Sequence, residues 1–217
     1  MKVIITGTTG MVGEGVLLEC LQNSDVAQVL GISRRPCGVE DPKLKELLVP
    51  DFAKLQDFEN DLKGYDACFY CAGKSSAGMS EAEYSKLTFD TTVHVANVLK
   101  GSNPNITFNF VSGHHTDNTG EGTVMWARVK GKTENELTRI FADKAFHFRP
   151  ALMRPTKGQQ NFYGYNRMAH KVLYPVLSIF FPACTIEEIG KAMIGTVSKG
   201  CSKNILEVKD IKEAAKR

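Results

Sequence analysis

The sequence predicts an α/β protein built on a doubly wound parallel sheet. Short β-rich apolar runs alternate with helical patterns along the chain, which is typical of parallel strands joined by crossover helices. A glycine-rich turn follows the first of these runs directly. The length of 217 residues fits one domain, and the pattern becomes less regular after residue 150. We therefore expect a single domain over 1–217 in which 151–200 forms a small C-terminal, substrate-side extension.

The individual elements follow from hydrophobic periodicity. Alternation and β-branched content predict strands at 3–6, 29–33, 47–50, 67–71, 107–111, 145–149 and 205–208. Apolar residues at helical spacing predict helices at 14–22, 58–62, 80–100, 125–141 and 186–198. Thr185 followed by Glu188 has the spacing of a capping box, so we expect the last of these helices to begin after Thr185.

The glycine turn predicts a site for a dinucleotide. Gly7, Gly10 and Gly13 come between the first strand and the first helix. Gly7 permits a tight turn, Gly10 allows a pyrophosphate to approach the backbone, and Gly13 allows the helix to pack closely on the strand. The helix N-terminus then offers free N–H groups and the positive end of its dipole to the phosphates. An ordinary tight turn between strand and helix is the alternative.

The segment from Thr6 to Gly13 resembles the Thr-Gly-x-x-Gly-x-x-Gly motif of the extended and atypical short-chain dehydrogenase/reductase (SDR) superfamily. The resemblance runs from Met1 to Val208. Within the superfamily, the chain is most similar to a small group of Tat-interacting-protein-like proteins and proteins labelled nucleoside-diphosphate-sugar epimerases. It implies a Rossmann fold with an NAD(P) site at the turn and at positions after later strands. The implied cofactor residues are Gly7, Thr9, Gly10, Met11, Val12, Gly13, Asp51, Phe52, Cys71, Ala72, Gly73 and Pro150.

The end of the second predicted strand favours NADP over NAD. An acidic residue at this position binds the ribose 2′-hydroxyl of NAD, whereas arginine suits a 2′-phosphate. The chain has Ser33, Arg34 and Arg35 here, and the next acidic residue is Glu40. Arginine can bind phosphate through two N–H groups, and Ser33 can donate a further hydrogen bond. Two solvated arginines on a strand exit remain the alternative.

The predicted helix that resembles the catalytic helix of the superfamily lacks the catalytic tyrosine. Catalysis in the superfamily rests on Tyr-x-x-x-Lys with a nearby serine or threonine, and the segment from Val129 to Glu134 resembles the helix that follows the tyrosine. Lys130 thus takes the lysine position, but Trp126 occupies the tyrosine position. An indole N–H only donates hydrogen bonds and cannot exchange a proton near neutral pH. A packing residue at the wall of the cleft is at least as good an interpretation of Trp126.

The position of the polar catalytic residue falls at Ser112 or His114, after the fifth predicted strand. His114 can exchange a proton near neutral pH, although a loop histidine is more often a plain surface residue. Tyr163 and Tyr165 could in principle replace the missing phenol.

Two functions remain open. The first is an NADP-dependent oxidoreductase or epimerase-like enzyme acting on an unidentified small molecule. The second is a non-catalytic NADP-binding redox sensor or scaffold, which Trp126 favours because a retained cradle with a lost proton donor describes such a protein.

Composition excludes several other classes. The net charge of +3 and the lack of a Lys/Arg block give no reason to expect nucleic-acid binding. The six cysteines are scattered, so we expect core thiols and neither a metal site nor disulfides. We expect no signal peptide, no transmembrane segment and a cytoplasmic location. The apolar stretch 172–182 would be a membrane-surface or dimer contact if exposed, but we expect a lid or core element. A homodimer or a protein partner remains possible.

Overall fold

The centre of the molecule is a seven-stranded parallel sheet, as the sequence predicts. The computed structural model describes residues 1–161 and 167–216. Its strands are β1 (Lys2–Thr6), β2 (Gln28–Ser33), β3 (Leu44–Leu48), β4 (Ala67–Tyr70), β5 (Thr107–Val111), β6 (Ala145–Arg149) and β9 (Ile205–Glu207). Their order is β3-β2-β1-β4-β5-β6-β9, and each neighbouring pair is parallel. The order reverses beside β1 and β4, so the crevice at their carboxyl ends is where such sheets bind ligands.

Helices cover both faces of the sheet. The helices are α1 (Met11–Gln22), α2 (Glu81–Ser85), α3 (Thr91–Ser102), α4 (Met125–Phe141), α5 (Arg167–Phe180), α6 (Ile186–Ser198) and α7 (Val208–Ala214). One core cluster joins Val3 and Ile5 of β1 to α1, α6 and α7. The other joins Ile4 of β1 to α3, α4 and a 3-10 segment at Phe52–Leu62. Alternate residues of β1 therefore enter opposite cores, which is why Val3, Ile4 and Ile5 are all apolar.

The third strand and the helix at 80–100 differ from their predicted form. The strand predicted at 47–50 lies at Leu44–Leu48. Its start was missed because Lys45 and Glu46 are exposed at the edge of the sheet and interrupt the apolar pattern in the sequence. The helix predicted at 80–100 consists of α2, a π-helical segment at Lys86–Asp90, and α3. The one predicted at 58–62 is the end of the 3-10 segment.

The C-terminal part contains elements that the sequence did not predict. β7 (Leu152–Arg154) and β8 (Ala183–Thr185) form a separate two-stranded parallel sheet. The last strand ends at Glu207 because α7 begins at Val208. The capping box before α6 is confirmed: the Glu188 amide donates to Thr185 Oγ1 at 3.0 Å, and the Thr185 amide donates to Glu188 Oε2 at 2.7 Å.

The position of α6 narrows the predicted substrate-side extension. This helix packs on α1, and Ile186, Ile189 and Met193 belong to the core cluster of the central sheet. Residues 186–198 of the predicted 151–200 extension are therefore part of the main layers. No helix among the described residues is long and apolar enough to cross a membrane.

Candidate cofactor and active site

The glycine turn joins the ends of β1 and α1 through close backbone contacts. Gly7 has a φ of +74°, which favours glycine, and its amide donates to the carbonyl of Ile32 at 3.2 Å. The Gly10 amide donates to the Gly7 carbonyl at 2.9 Å. A Cβ on Gly13 would lie 2.1 Å from that same Gly7 oxygen. Gly7 and Gly13 are thus required by the packing of the chain itself.

Gly10 differs from these two glycines because the protein leaves space beside it. Its φ of −105° and ψ of 164° suit any residue, and the nearest atom to an added Cβ is the Gly7 oxygen at 3.3 Å. Gly10 is also the N-cap of α1, whose first-turn amides have no partner within the helix. A bare backbone beside free amides fits the approach of a phosphate group.

A cleft of about 580 Å³ lies at the carboxyl ends of β2 and β4, next to this turn. The predicted cofactor residues Arg34, Asp51, Phe52, Ala72 and Gly73 all line it. The structure thus brings together residues that are 39 positions apart in the sequence, from Arg34 to Gly73. Its volume lies in the range of small-molecule and cofactor sites.

The far wall of this cleft was missed in the sequence. It consists of residues from the π-helical segment and α3: Lys86, Leu87, Asp90, Thr91 and His94. No sequence signal marks a π-helical turn within a helical pattern, so the side chains that face the cleft could not be chosen from periodicity. His94 Nε2 lies 3.0 Å from Gln56 Oε1, which links this wall to the 3-10 segment.

The three residues expected to read the ribose differ in their surroundings. Arg34 lines the cleft and is exposed. Ser33 is buried, and its hydroxyl donates to the Arg35 carbonyl at 2.5 Å, so this hydroxyl shapes the turn. Arg35 is exposed. The Asp51 carboxylate accepts the Ala53 amide at 3.0 Å and caps the 3-10 segment, which gives this residue a structural task.

The segment after β4 is held against β1. The Thr6 hydroxyl accepts the Ala72 amide at 3.1 Å, and Gly7 lies so close that a Cβ there would be 2.8 Å from Ala72 Cα. Burial raises the pKa of the Cys71 thiol to about 12, so this cysteine stays protonated at neutral pH. All six cysteines are free thiols.

Lys130 and Trp126 lie one helical turn apart on α4, as expected from their spacing. The Lys130 ammonium donates to the backbone carbonyl of Ser112 at the end of β5. Burial lowers the pKa of Lys130 to about 8, while the charge of Glu134 opposes this shift. The indole of Trp126 is half-buried, and a Cβ on Gly113 would lie 3.7 Å from its Cζ3. Trp126 thus forms a wall beside the loop that follows β5.

Ser112 is buried, and its hydroxyl is hydrogen-bonded to groups in the protein interior. It donates to Glu134 Oε1 at 2.5 Å and lies 3.2 Å from the Phe148 carbonyl. Glu134 in turn pairs with Arg149 through two contacts of 3.0 and 2.5 Å. Burial raises the pKa of Glu134, but hydrogen bonds from Arg149, Ser112 and Asn118 together with the charge of His147 hold it below its usual value. This geometry favours a positioning role for Ser112 over direct contact with a substrate.

Gly131 explains how the loop after β5 reaches this network. A Cβ on Gly131 would lie 1.7 Å from the Asp117 carbonyl oxygen, so only glycine allows the loop to lie on α4. This contact brings Asn118 to Glu134, and the side-chain amide of Asn118 donates to Glu134 Oε2 at 2.9 Å. The glycine within a predicted helix was the sequence signal for this close approach.

His114 faces away from Lys130, toward the far edge of the sheet. Its Nδ1 lies 3.1 Å from Glu207 Oε2, and its amide donates to the Pro150 carbonyl at 2.9 Å. Its ring contacts that of His115 in a tilted arrangement, with centroids 3.9 Å apart. His114 lines a separate groove between α5 and α7. Pro150 itself is buried at the end of β6, beside the loop that carries Ser112.

The first turn of α1 is covered from one side by the C-terminal part of the chain. Glu14 is buried, and its carboxylate accepts the amides of Gln160 at 2.7 Å and Asn161 at 2.6 Å. The Gln159 side-chain amide donates to the Met11 carbonyl at 2.5 Å. Thr9, Met11 and Val12 are half-buried in this turn. The chain 159–161 therefore lies directly against the predicted phosphate site.

Two predicted candidate residues cannot be placed in this site. Tyr163 and Tyr165 lie outside the described residues. Among residues 1–161 and 174–216, whose side chains are described, no group of three or more His, Cys, Asp or Glu is arranged to hold a metal ion.

The reversed strand order, the open glycine turn and the cleft beside it define a dinucleotide-binding protein of the Rossmann type. The chain belongs to the NAD dependent epimerase/dehydratase family, whose model matches residues 3–129. This family membership confirms the resemblance to the SDR superfamily.

A curated relative is the leucinostatins biosynthesis cluster protein T of Purpureocillium lilacinum. It is 29% identical over 146 residues, which cover 66% of this chain and 53% of the relative. The present chain thus matches about half the length of that protein.

Solved structures share the fold at low identity. The Bordetella bronchiseptica enzyme WbmF in complex with NAD+ matches with a TM-score of 0.68 and 13% identity over 99% of this chain and 76% of that one. The UDP-glucose 4-epimerase of Thermotoga maritima with UDP-glucose gives 0.70 and 14%, over 100% and 82%. MoeE5 in complex with UDP-glucose and NAD gives 0.69 and 16%, over 100% and 81%.

Proposed function

We propose that this protein is an NADP-dependent oxidoreductase or epimerase-like enzyme of the atypical SDR type that acts on a small molecule. The observation that carries the proposal is the cleft lined by Arg34, Asp51, Phe52 and Gly73 beside the open backbone of Gly10. Family membership and the NAD of WbmF and MoeE5 support a nicotinamide dinucleotide as the ligand.

The preference for NADP rests on the charges around this cleft. Arg34, Lys74 and Lys86 bring cationic side chains to its lining, and Arg34 follows the strand end that meets the adenosine ribose. Asp51 and Asp90 also line the cleft, but Asp51 is engaged in capping Ala53. A guanidinium binds the two charges of a 2′-phosphate better than it binds a hydroxyl.

The residues of the chain would divide the work as follows. Gly10 and the first turn of α1 would hold the pyrophosphate, while Phe52 and Asp51 would border the adenine. Lys130 would hold the ribose on the nicotinamide side, and Pro150 would lie near the carboxamide. A bound nicotinamide supplies hydride transfer to or from a carbon of the substrate. Trp126 shields this place from water but cannot exchange a proton.

Lys130 Nζ is the titratable group of this wall, with its pKa lowered to about 8 by burial. Such a group can hold a proton at neutral pH and release it in a mildly basic solution. The imidazole of His114 is turned toward Glu207, so we assign His114 no proton transfer in the ground state seen here.

The cofactor preference is tested by calorimetric titration of the protein with NADPH and NADH. We expect tighter binding of NADPH, and we expect Arg34→Ala to weaken NADPH binding roughly tenfold while changing NADH binding little. Arg139→Ala is the matched control, since Arg139 is an exposed arginine paired with Glu136 on α4. Equal affinities in the unchanged protein, or a preference for NADH, contradict the proposal.

A non-catalytic redox sensor or scaffold is the second candidate, favoured by Trp126 and by the engaged hydroxyl of Ser112. Hydride transfer from NADPH to quinones, aldehydes and ketones separates the two. Turnover with any of these acceptors supports the enzyme, and its loss in Lys130→Met assigns it to this site. Tight NADPH binding without oxidation by any acceptor favours the sensor.

A further inference from the structure

The C-terminal half of α5 exposes large apolar side chains with no protein cover. Val176, Leu177, Ile179, Phe180 and Phe181 form this surface, which we call the apolar tip. Ile179 is 77% exposed and Phe180 is 75% exposed. These exposed side chains exclude a core element at the tip. Contiguous apolar surface of this kind marks contact with a membrane or with another protein.

The helix is attached to the body before the tip begins. The Tyr174 hydroxyl donates to the Cys184 carbonyl at 3.3 Å, and the Arg154 guanidinium lies 6.0 Å from the Tyr174 ring centroid. After the tip, Pro182 starts the return to the small sheet, and its carbonyl accepts the Leu152 amide at 3.1 Å. The apolar tip is therefore attached to the body of the protein on both sides along the chain.

The apolar residues of the tip lie together on one side of the helix. At 100° per residue, the four helical members of the tip spread over about 160° of the helix circumference. A broad apolar face with basic residues beside it is typical of helices that lie in a membrane interface. Phe181 follows directly and widens the surface at the end of the helix.

The charges beside the tip complement an anionic surface. Lys209 and Lys212 of α7 line the groove that also contains Ser178 and Phe181. At the start of α7, Asp210 pairs with Lys203, and Glu207, which contacts Arg149 and His114, is the single carboxylate among the described residues that line this groove. Glu213 is not among the groove residues. The two lysines thus leave positive charge at the edge of the apolar tip.

We propose that the apolar tip of α5, flanked by Lys209 and Lys212, binds the protein peripherally to an anionic lipid surface. Apolar side chains enter the boundary between headgroups and acyl chains, and the lysines contact the charged headgroups. The α5 helix lies on the same C-terminal part of the chain as residues 159–161, which contact the phosphate turn.

Vesicle co-sedimentation tests this proposal with the intact protein. We expect binding to vesicles of phosphatidylcholine with about 30% phosphatidylserine, and weaker binding to phosphatidylcholine alone. Ile179→Ser combined with Phe180→Ser should lower binding to the anionic vesicles roughly tenfold or more. Lys209→Gln combined with Lys212→Gln should remove the preference for phosphatidylserine and the sensitivity to salt. Leu48→Ser is the control, since Leu48 is 43% exposed on β3 at the other edge of the sheet.

Two further measurements keep the outcome decisive. Thermal unfolding and NADPH-dependent quenching of Trp126, the single tryptophan of the chain, show whether the variants remain folded and bind cofactor independently of lipid. Absence of binding to either vesicle overturns the proposal, as does binding that the serine variant leaves unchanged. A dimer in analytical ultracentrifugation that the serine variant dissociates, without vesicle binding, assigns the tip to a second copy of the chain instead.

Discussion

Glu134 and Arg149 form a two-contact ion pair beneath the loop that carries Ser112. Arg149 Nε lies 3.0 Å from Glu134 Oε1, and Arg149 Nη2 lies 2.5 Å from Glu134 Oε2. The Glu134 side chain is 1% exposed and that of Arg149 is 11% exposed. The pair connects α4 to β6, and through Ser112 it fixes the carbonyl that receives the Lys130 ammonium.

Breaking this pair should destabilise the protein strongly. Glu134→Gln leaves the buried Arg149 charge without its carboxylate, so we expect a loss of about 3 kcal/mol in the free energy of unfolding. Glu136→Gln is the control, because its partner Arg139 is 71% exposed, and it should cost less than about 1 kcal/mol. Urea denaturation measures both values, and equal losses in the two variants would contradict the assigned role of the buried pair.

The glycines of the turn should separate folding from binding. Gly13→Ala places a Cβ 2.1 Å from the Gly7 oxygen, so we expect a loss of at least about 2 kcal/mol in stability. Gly10→Ala meets only the Gly7 oxygen at 3.3 Å and should cost about 1 kcal/mol or less, yet weaken NADPH binding roughly tenfold. Thermal unfolding and calorimetry check the pair. Unchanged affinity for NADPH in a folded Gly10→Ala protein would contradict the placement of a phosphate group beside Gly10.

Cofactor binding should depend on the charge of Lys130. Its pKa of about 8 means that the ammonium loses its proton as the pH rises through 8, so affinity for the cofactor should fall over pH 7–9. Lys130→Met should bind more weakly and show no such fall. Lys132→Met serves as the control, because Lys132 is exposed on the same helix, 4.2 Å from the ring centroid of Phe89. A fall of equal size in Lys130→Met would assign the titration to another group.

Trp126→Tyr should leave cofactor binding in place, because Gly10, Arg34 and Lys130 are unchanged. Calorimetric titration with NADPH measures this directly, and Trp126→Ala shows what removal of the wall does. If Trp126→Tyr gains hydride transfer, the phenol beside Lys130 restores proton exchange. Loss of binding in Trp126→Tyr would show instead that the indole is required as a wall of the cofactor site.

His147 should make the protein sensitive to mild acid. Burial lowers the pKa of this histidine from 6.5 to about 4, so it stays neutral in the folded state while the unfolded chain binds a proton. Stability should therefore fall as the pH drops from 6.5 toward 4, by roughly 3 kcal/mol in total. Glu134 contributes to acid unfolding only below its ordinary pKa of 4.5, since its folded pKa is lowered.

The measurement is the free energy of unfolding at pH 7 and at pH 5. His147→Gln should show a smaller difference between the two values than the unchanged protein. His94→Gln, at a half-buried histidine of α3, should keep the full difference. An identical pH dependence in His147→Gln and the unchanged protein would show that another group causes the loss.

Local patterns were sufficient for most of the central sheet. β1, β2, β4, β5 and β6 are largely buried on both faces, and their sequences are mostly apolar with few polar residues. The capping box at Thr185 and Glu188 also acts between neighbours in sequence. The short strands β7 and β8 were missed because three residues carry no periodicity, and their pairing depends on a chain segment of about 30 residues between them.

The sequence by itself determined the glycine turn, because the spacing of Gly7, Gly10 and Gly13 between a strand and a helix specifies it locally, although Gly7 also allows the close approach of Ala72. It also raised the question of turnover, since Trp126 and Lys130 are one helical turn apart. Only the tertiary structure decided that Ser112 gives its hydroxyl to Glu134, that His114 faces Glu207, and that the apolar tip of α5 is uncovered. Each of these features depends on which distant segments of the chain meet, and local sequence patterns do not specify contacts between such segments.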